Sequence, residues 1–211
     1  MSAKNTMMKQ MIKKWCIIVI LFLSLPAMPV CYGLTETESK EYQLKAAFLY
    51  NFIKFVDWPV NIADNNEIAI GVISREPLGN LFEPLKDKKV KNKNVIIKQY
   101  PSFEELQKLG KQNKAAMDEQ IESIKKCHLL FICASEATNL REILEQVKDK
   151  NILTVGEAEN FLKAGGMINF VVDDKKVRFE INLEASDKAK LKISSQLLQL
   201  AKNIIKAKEH T

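Results

Sequence analysis

Between Glu67 and Val155 the chain alternates short apolar runs of strand length with polar stretches of helical spacing, and that alternation most restricts how it can fold. The runs are Glu67 to Ile73 (EIAIGVI), Asn94 to Gln99 (NVIIKQ), Leu129 to Ile132 (LLFI) and Ile152 to Val155 (ILTV). Each is too short for a buried helix and rich in β-branched residues, so each reads as a strand. Between them, Pro77 to Leu85 reads as a short helix or loop. Ser102 reads as the N-cap of a short helix, with Glu104 and Glu105 in its first turn. Met117 to Lys125, Asn139 to Val147 and Glu157 to Lys163 are predicted helical, and Gly165-Gly166 is a turn signal. Strands that alternate with helices imply a mostly parallel sheet with helices on both faces.

The ends of this α/β core are also legible. Glu38 to Val56 predicts a helix with two apolar stripes: Tyr42, Ala46, Leu49, Ile53 and Val56, and beside them Leu44, Phe48, Phe52 and Phe55. So broad an arc implies burial on more than one side. Asp57-Trp58-Pro59 ends it, because proline disfavours helical geometry in the residue before it. After the glycines, Met167 to Val172 and Val177 to Leu183 predict a hairpin turned by Asp173 to Lys176, which would add an antiparallel edge to the sheet. Its second strand alternates Val177, Phe179, Ile181 and Leu183 against Arg178, Glu180 and Asn182. Leu191 to Lys206 predicts a C-terminal helix with Leu197, Leu200 and Ile204 on one face.

The N-terminus has a different character. Lys4, Lys9, Lys13 and Lys14 precede an 11-residue apolar run, Trp15 to Leu25, and Pro26, Pro29 and small residues follow to Gly33. This is the pattern of a secretory signal, and the run falls short of the roughly 20 residues a spanning helix needs. The expected division is a signal peptide, 1–33, and an α/β domain, 34–211, with cleavage after Ala27 as the alternative. Met28-Pro29-Val30 lacks the small residue expected beside a lipidated cysteine, which argues against a lipoprotein at Cys31. The whole chain carries 32 basic and 26 acidic residues, net +6. Residues 1–33 hold four of the lysines and no acid, so the exported part would be net +2. Nucleic-acid binding wants a concentrated basic patch, and export to the periplasm argues against it as well.

No catalytic set is visible. The two histidines, His128 and His210, lie beside a buried strand and at the C-terminus, and form no metal site. Cys127 and His128 are adjacent, so on a strand they face opposite ways, which spoils mutual activation. No phosphate loop or GxSxG occurs, and no cofactor is implied. Cys127 and Cys133 are the cysteines of the exported part. On one extended strand their Cα atoms would lie roughly 20 Å apart, against less than about 7 Å for a bridge. Buried free thiols are therefore expected. A redox pair remains the alternative if the strand ends or bends before Cys133, because the periplasm favours disulfides. Two surfaces stand out as candidate partner sites: Phe55, Trp58 and Pro59 at the end of the aromatic helix, and the strand face Arg178, Glu180 and Asn182.

Five motifs in order, KAAFLYNFIKFVDWP (Lys45 to Pro59), CHLLFI with Ser135-Glu136, ILTVGE, GGMINF, and VRFEINL with ISSQLL, resemble the YfiR-like periplasmic regulators from about Tyr42 to Lys202. The resemblance implies a single Rossmann-like three-layer domain, non-enzymatic and able to dimerise. It implies binding to, and repression of, an inner-membrane diguanylate cyclase related to YfiN. Release through stress, redox change or an outer-membrane lipoprotein would raise cyclic-di-GMP and favour biofilm. Such proteins also occur beside sensor kinases. That leaves a second reading, a small-molecule sensor whose ligand site would be the loops around Ser74-Arg75 and Ser135-Glu136. Better-known members carry two cysteine pairs, so a redox mechanism transfers only in part.

Overall fold

The computed structural model describes residues 35–59, 66–76 and 78–206, all within the compact unit Leu34–Thr211. The expected signal peptide lies outside the described residues.

Helix α1 (Glu36–Phe55) opens with a capping box. The Thr35 hydroxyl accepts from the Glu38 amide at 3.3 Å, and the Glu38 carboxylate accepts from the Thr35 amide at 2.8 Å, satisfying two otherwise orphaned donors. The helix stops where Val56 turns extended. Val56–Asp57 (β1) then pairs antiparallel with β9 (Lys192–Ile193).

The main sheet comprises β2 (Glu67–Ile73), β3 (Lys89–Val90), β4 (Lys93–Tyr100), β5 (Leu129–Ile132), β6 (Leu153–Gly156), β7 (Ile168–Asp173), β8 (Lys176–Asn182) and β10 (Asn203–Ile205). Its order is β10-β8-β7-β6-β5-β2-β4-β3. The run from β4 through β7 is parallel; β7–β8 and β3–β4 are the antiparallel pairs. Strand alternation divides the interior in two. Ile70, Val72, Leu129, Phe131 and Cys133 face α1, with the 3-10 helix Gly79–Leu85 on the same side. Ala69, Ile73, Leu130 and Ile132 face α2 (Phe103–Gln112), α3 (Lys114–Ile124) and α4 (Leu140–Gln146). The result is a three-layer α/β domain with a mostly parallel sheet, as the sequence implied. Ser102 caps α2 as expected, in a second capping box with Glu105.

The C-terminal third differs from expectation in three places. Glu157 to Lys163 forms turns rather than a helix. Its backbone bonds run irregularly (Ala164 amide to Asn160 carbonyl, Gly166 amide to Phe161 carbonyl) and bring the buried Phe161 ring against Gly156 and Gly166. A Cβ on Gly156 would meet that ring at 2.2 Å. The helix expected over 191–206 is broken into β9, α6 (Ser195–Leu200) and β10. The Ser194 amide donates to the Phe55 carbonyl and its hydroxyl caps α6, while Lys202 donates to the Phe179 carbonyl and starts β10. Strand pairing with distant segments overrides local helix propensity here. The hairpin is consequently not the edge of the sheet, because β10 pairs with β8. The turn itself is a two-residue one, with Asp174 and Lys175 both at positive φ (47° and 61°), the backbone that suits the twist of a tight hairpin.

Candidate functional site

Chain crossovers reverse direction at β2 and β5. The chain leaves β2 toward the α1 side through the 3-10 helix and leaves β5 toward the opposite side through α4. Loops that diverge to opposite faces open a crevice at the carboxyl ends of the strands, where α/β proteins place ligands. Here the Arg75 amide donates to Ser135 Oγ at 3.2 Å, joining the two loops. Ser74 Oγ donates to Glu76 at 2.7 Å, and the Arg75 guanidinium pairs with Glu104 at 3.2 Å. Burial would raise the Glu76 carboxyl, but hydrogen bonds from Ser135 and Ser74 hold it below the ordinary range. Beneath these loops Glu136 is fully buried. One oxygen accepts from the Phe103 amide at 3.2 Å and from Asn139 at 3.3 Å, which ties the start of α2 to the end of β5. Its other oxygen has no hydrogen-bond partner.

Next to the crevice, at the end of β6, a charged network clamps α1 to the sheet. Glu157 accepts from the Tyr42 hydroxyl and from the Ala134 amide, each at 2.9 Å, and pairs with Lys45. Lys45 also pairs with Glu41 at 2.6 Å. The Lys45 and Glu157 side chains are only 7% and 6% exposed. Burial by itself would lower the Lys45 ammonium, but the charge and hydrogen bond of Glu157, with Glu41, hold it above the ordinary lysine value. Burial, then the Glu157 charge, pushes the Tyr42 phenol far up, and the same two causes raise the Cys133 thiol. Lys45, Tyr42 and Cys133 therefore all hold their protons, and the paired cluster braces α1 against the sheet.

The sequence-predicted residues are scattered. Phe55 is half-buried against the α1-side core, and Trp58 sits edge-on to the His128 ring at 6.2 Å. Pro59 follows it, half-buried. His128 accepts the Ala69 amide at Nδ1, 3.1 Å away, near the start of β2. Trp58 thus lies toward the foot of the sheet, opposite the crevice. Arg178 and Glu180 lie on β8, three positions along the sheet from β5, the first exposed and the second half-buried. Asn182 is not part of an open face. It is 9% exposed, donates to the Leu162 carbonyl at 3.1 Å and caps α5 (Leu183–Lys188) through the Ala185 amide. Cys127 and Cys133 are both free and buried. They flank β5 at opposite ends and belong to opposite cores, Cys127 against Tyr100 at 3.3 Å. β5 (Leu129–Ile132) spans the residues between them, which in this conformation keeps the two sulfurs beyond bonding reach.

The YfiR/HmsC-like family model matches residues 42–202, more than half of the 211-residue chain. The chain belongs to this family. YfiR/HmsC-like proteins are periplasmic regulatory domains, and no helix among the described residues is long and apolar enough to cross a membrane. No curated protein matches the sequence. Among solved structures, a conserved domain protein from Vibrio cholerae O1 biovar eltor superposes with a TM-score of 0.52 at 10% identity, covering 77% of this chain and 60% of that one. The ABC domain in complex with L-Trp from Streptococcus pneumonia gives a TM-score of 0.49 at 12% identity, covering 78% and 60%. The chain thus spans about three fifths of each. At such identity the Vibrio likeness speaks for the fold alone.

Sequence reasoning names the loops around Ser74-Arg75 and Ser135-Glu136, but composition and spacing miss the clamp beside them. Lys45 is a lysine on an apolar helix, and Glu157 stands 112 residues away in sequence. The available signal was the motifs, since Lys45 opens KAAFLYNF, Glu157 closes ILTVGE, and Ser135-Glu136 follows CHLLFI.

Proposed function

We propose that this protein is exported by its N-terminal segment, cleaved near Gly33, and represses an inner-membrane diguanylate cyclase by binding its periplasmic part. Membership of the YfiR/HmsC-like family over residues 42–202 carries the reading. Two features support a binding role: a clamp beside the β2 and β5 loops whose charged groups are paired to one another, and an aromatic helix end with Phe55, Trp58 and Pro59 half-buried. Phe55, Trp58 and Pro59, with Arg178 and Glu180 as a second surface, are the proposed contacts. Asn182 drops out because it is spent on a helix cap.

Repression demands preferential affinity for the inactive state of the cyclase. Equal affinity for both states shifts nothing, and a near-complete switch needs roughly 10⁴-fold preference. An outer-membrane lipoprotein or self-association into a homodimer would compete for the same surface and release the enzyme. The test is affinity capture from solubilised inner membranes with the tagged protein. A membrane protein with a cytoplasmic GGDEF output domain, lost on Trp58→Ala, is the expected result; retention of the same partner by that variant removes the proposed surface.

The switch point at which the β2 and β5 loops diverge supports a second reading, a small-molecule sensor feeding a histidine kinase. Capture of a kinase instead of a cyclase selects it.

A further inference from the structure

Beside the Lys45–Glu157 clamp lies an open cavity of about 360 Å³, walled by α1, the segment after β6 and the projecting end of β7. β6 stops at Gly156, opposite Asn169, so β7 runs on past it with no strand neighbour on that side among the described residues. The volume is within the range of small-ligand sites. We propose that this cavity binds a primary ammonium group carried on a short aliphatic stem, a site independent of the repressor reading.

Three observations converge. Three carboxylates, Glu41, Glu157 and Glu159, line the cavity against one ammonium, Lys45. Lys45 is committed to both Glu41 and Glu157, whereas Glu159 is exposed at the rim and has no ion-pair partner among the described residues. The unbalanced charge is therefore negative and calls for a cation. Second, Asn169 lines the cavity, is 3% exposed, and its Oδ1 has no hydrogen-bond partner. A buried acceptor left unpaired is costly, and a donor group arriving in the cavity relieves it. An ammonium offers three donors and no acceptor, which suits one amide oxygen and a carboxylate together. Third, the opposite wall is apolar. Val172 is 68% exposed and stands with Val177 where a methylene stem would lie. An anion would meet the carboxylates, and an alcohol would satisfy Asn169 while leaving Glu159 uncompensated.

The probes are n-butylamine and 1,4-diaminobutane, with n-butanol and sodium butyrate as stem-matched controls. They are titrated at pH 7 into protein purified from cells expressing the full chain, and binding is followed by calorimetry and ligand-observed NMR. Saturable amine binding with a Kd of roughly 1 mM or tighter is expected for ligands of this size, with no saturation by either control. Glu159→Gln, on an exposed position that folding tolerates, weakens binding about three- to tenfold. Asn169→Asp binds at least as tightly because it keeps the acceptor, whereas Asn169→Leu abolishes binding. Absence of saturable amine binding up to ~20 mM, well above that expected Kd, overturns the proposal. So does equal binding of butanol, or binding unchanged by both Glu159→Gln and Asn169→Leu.

Discussion

Replacing Glu157 by Gln removes one charge from the clamp between α1 and the sheet and leaves its shape. The glutamine oxygen, standing where Oε1 stood, still accepts from both Tyr42 and Ala134, and its amide nitrogen replaces the Oε2 that faced Lys45. Lys45, 7% exposed, loses its buried counterion and keeps only Glu41, which is 36% exposed. Removing one partner of a buried pair costs roughly 3–5 kcal/mol, and the surviving Glu41 contact puts the expected loss near the lower end, about 3 kcal/mol. With a urea dependence of about 2 kcal/mol per molar, the midpoint falls by roughly 1.5 M. The assay is urea unfolding followed by tryptophan fluorescence. The partner variant completes the reasoning. In a Lys45→Met background the same Glu157→Gln change costs far less, with a coupling energy of at least ~1.5 kcal/mol. An unchanged midpoint, or strictly additive losses, refutes the account of Glu157 as the counterion that makes Lys45 tolerable. The pH dependence follows from the same pair. The native Lys45 pKa lies above its unfolded value, so the stabilisation is complete below the ordinary lysine pKa of about 10.4 and is lost as pH rises through the native value. Wild type should lose its advantage over Lys45→Met only above about pH 10.5.

Other expectations are simpler. Both thiols should resist an aromatic disulfide reagent until the protein unfolds, because burial raises each of them, and a reductant should leave the urea midpoint unchanged; a midpoint that falls with reductant contradicts the geometry of β5. Asn182→Ala should cost about 1–2 kcal/mol by removing a helix cap and a bond to Leu162, while Arg178→Ala, on an exposed position of the same strand, should stay within about 0.5 kcal/mol of wild type. Ser102→Ala should cost about 1 kcal/mol through the lost capping box of α2, readable as a lower thermal midpoint; no change would mean that the tie from Glu136 to Phe103 holds α2 by itself.

What could be read from the sequence was what local chemistry decides. β2 and β5 were legible to the residue because apolar runs bounded by polar residues leave little room for another assignment. Ser102 was legible because a capping serine with Glu105 three positions on satisfies donors locally. The errors fell where distant strands decide. Residues 191–206 have helical spacing, but pairing with Phe55 and Phe179 cuts them into two strands and one short helix. Asn182 follows the outward alternation of β8, yet the turn at Leu162 covers it. The clamp was invisible for the same reason: nothing within a window around Lys45 reveals that Glu157 stands opposite.

The central claim is regulation of cyclic-di-GMP synthesis from outside the inner membrane. The most direct measurement is the intracellular cyclic-di-GMP concentration in a strain lacking this gene, compared with the same strain carrying the gene in trans. The account predicts a rise on deletion, reversed by the intact gene but not by Trp58→Ala. Unchanged cyclic-di-GMP on deletion, with the membrane cyclase present and expressed, contradicts it.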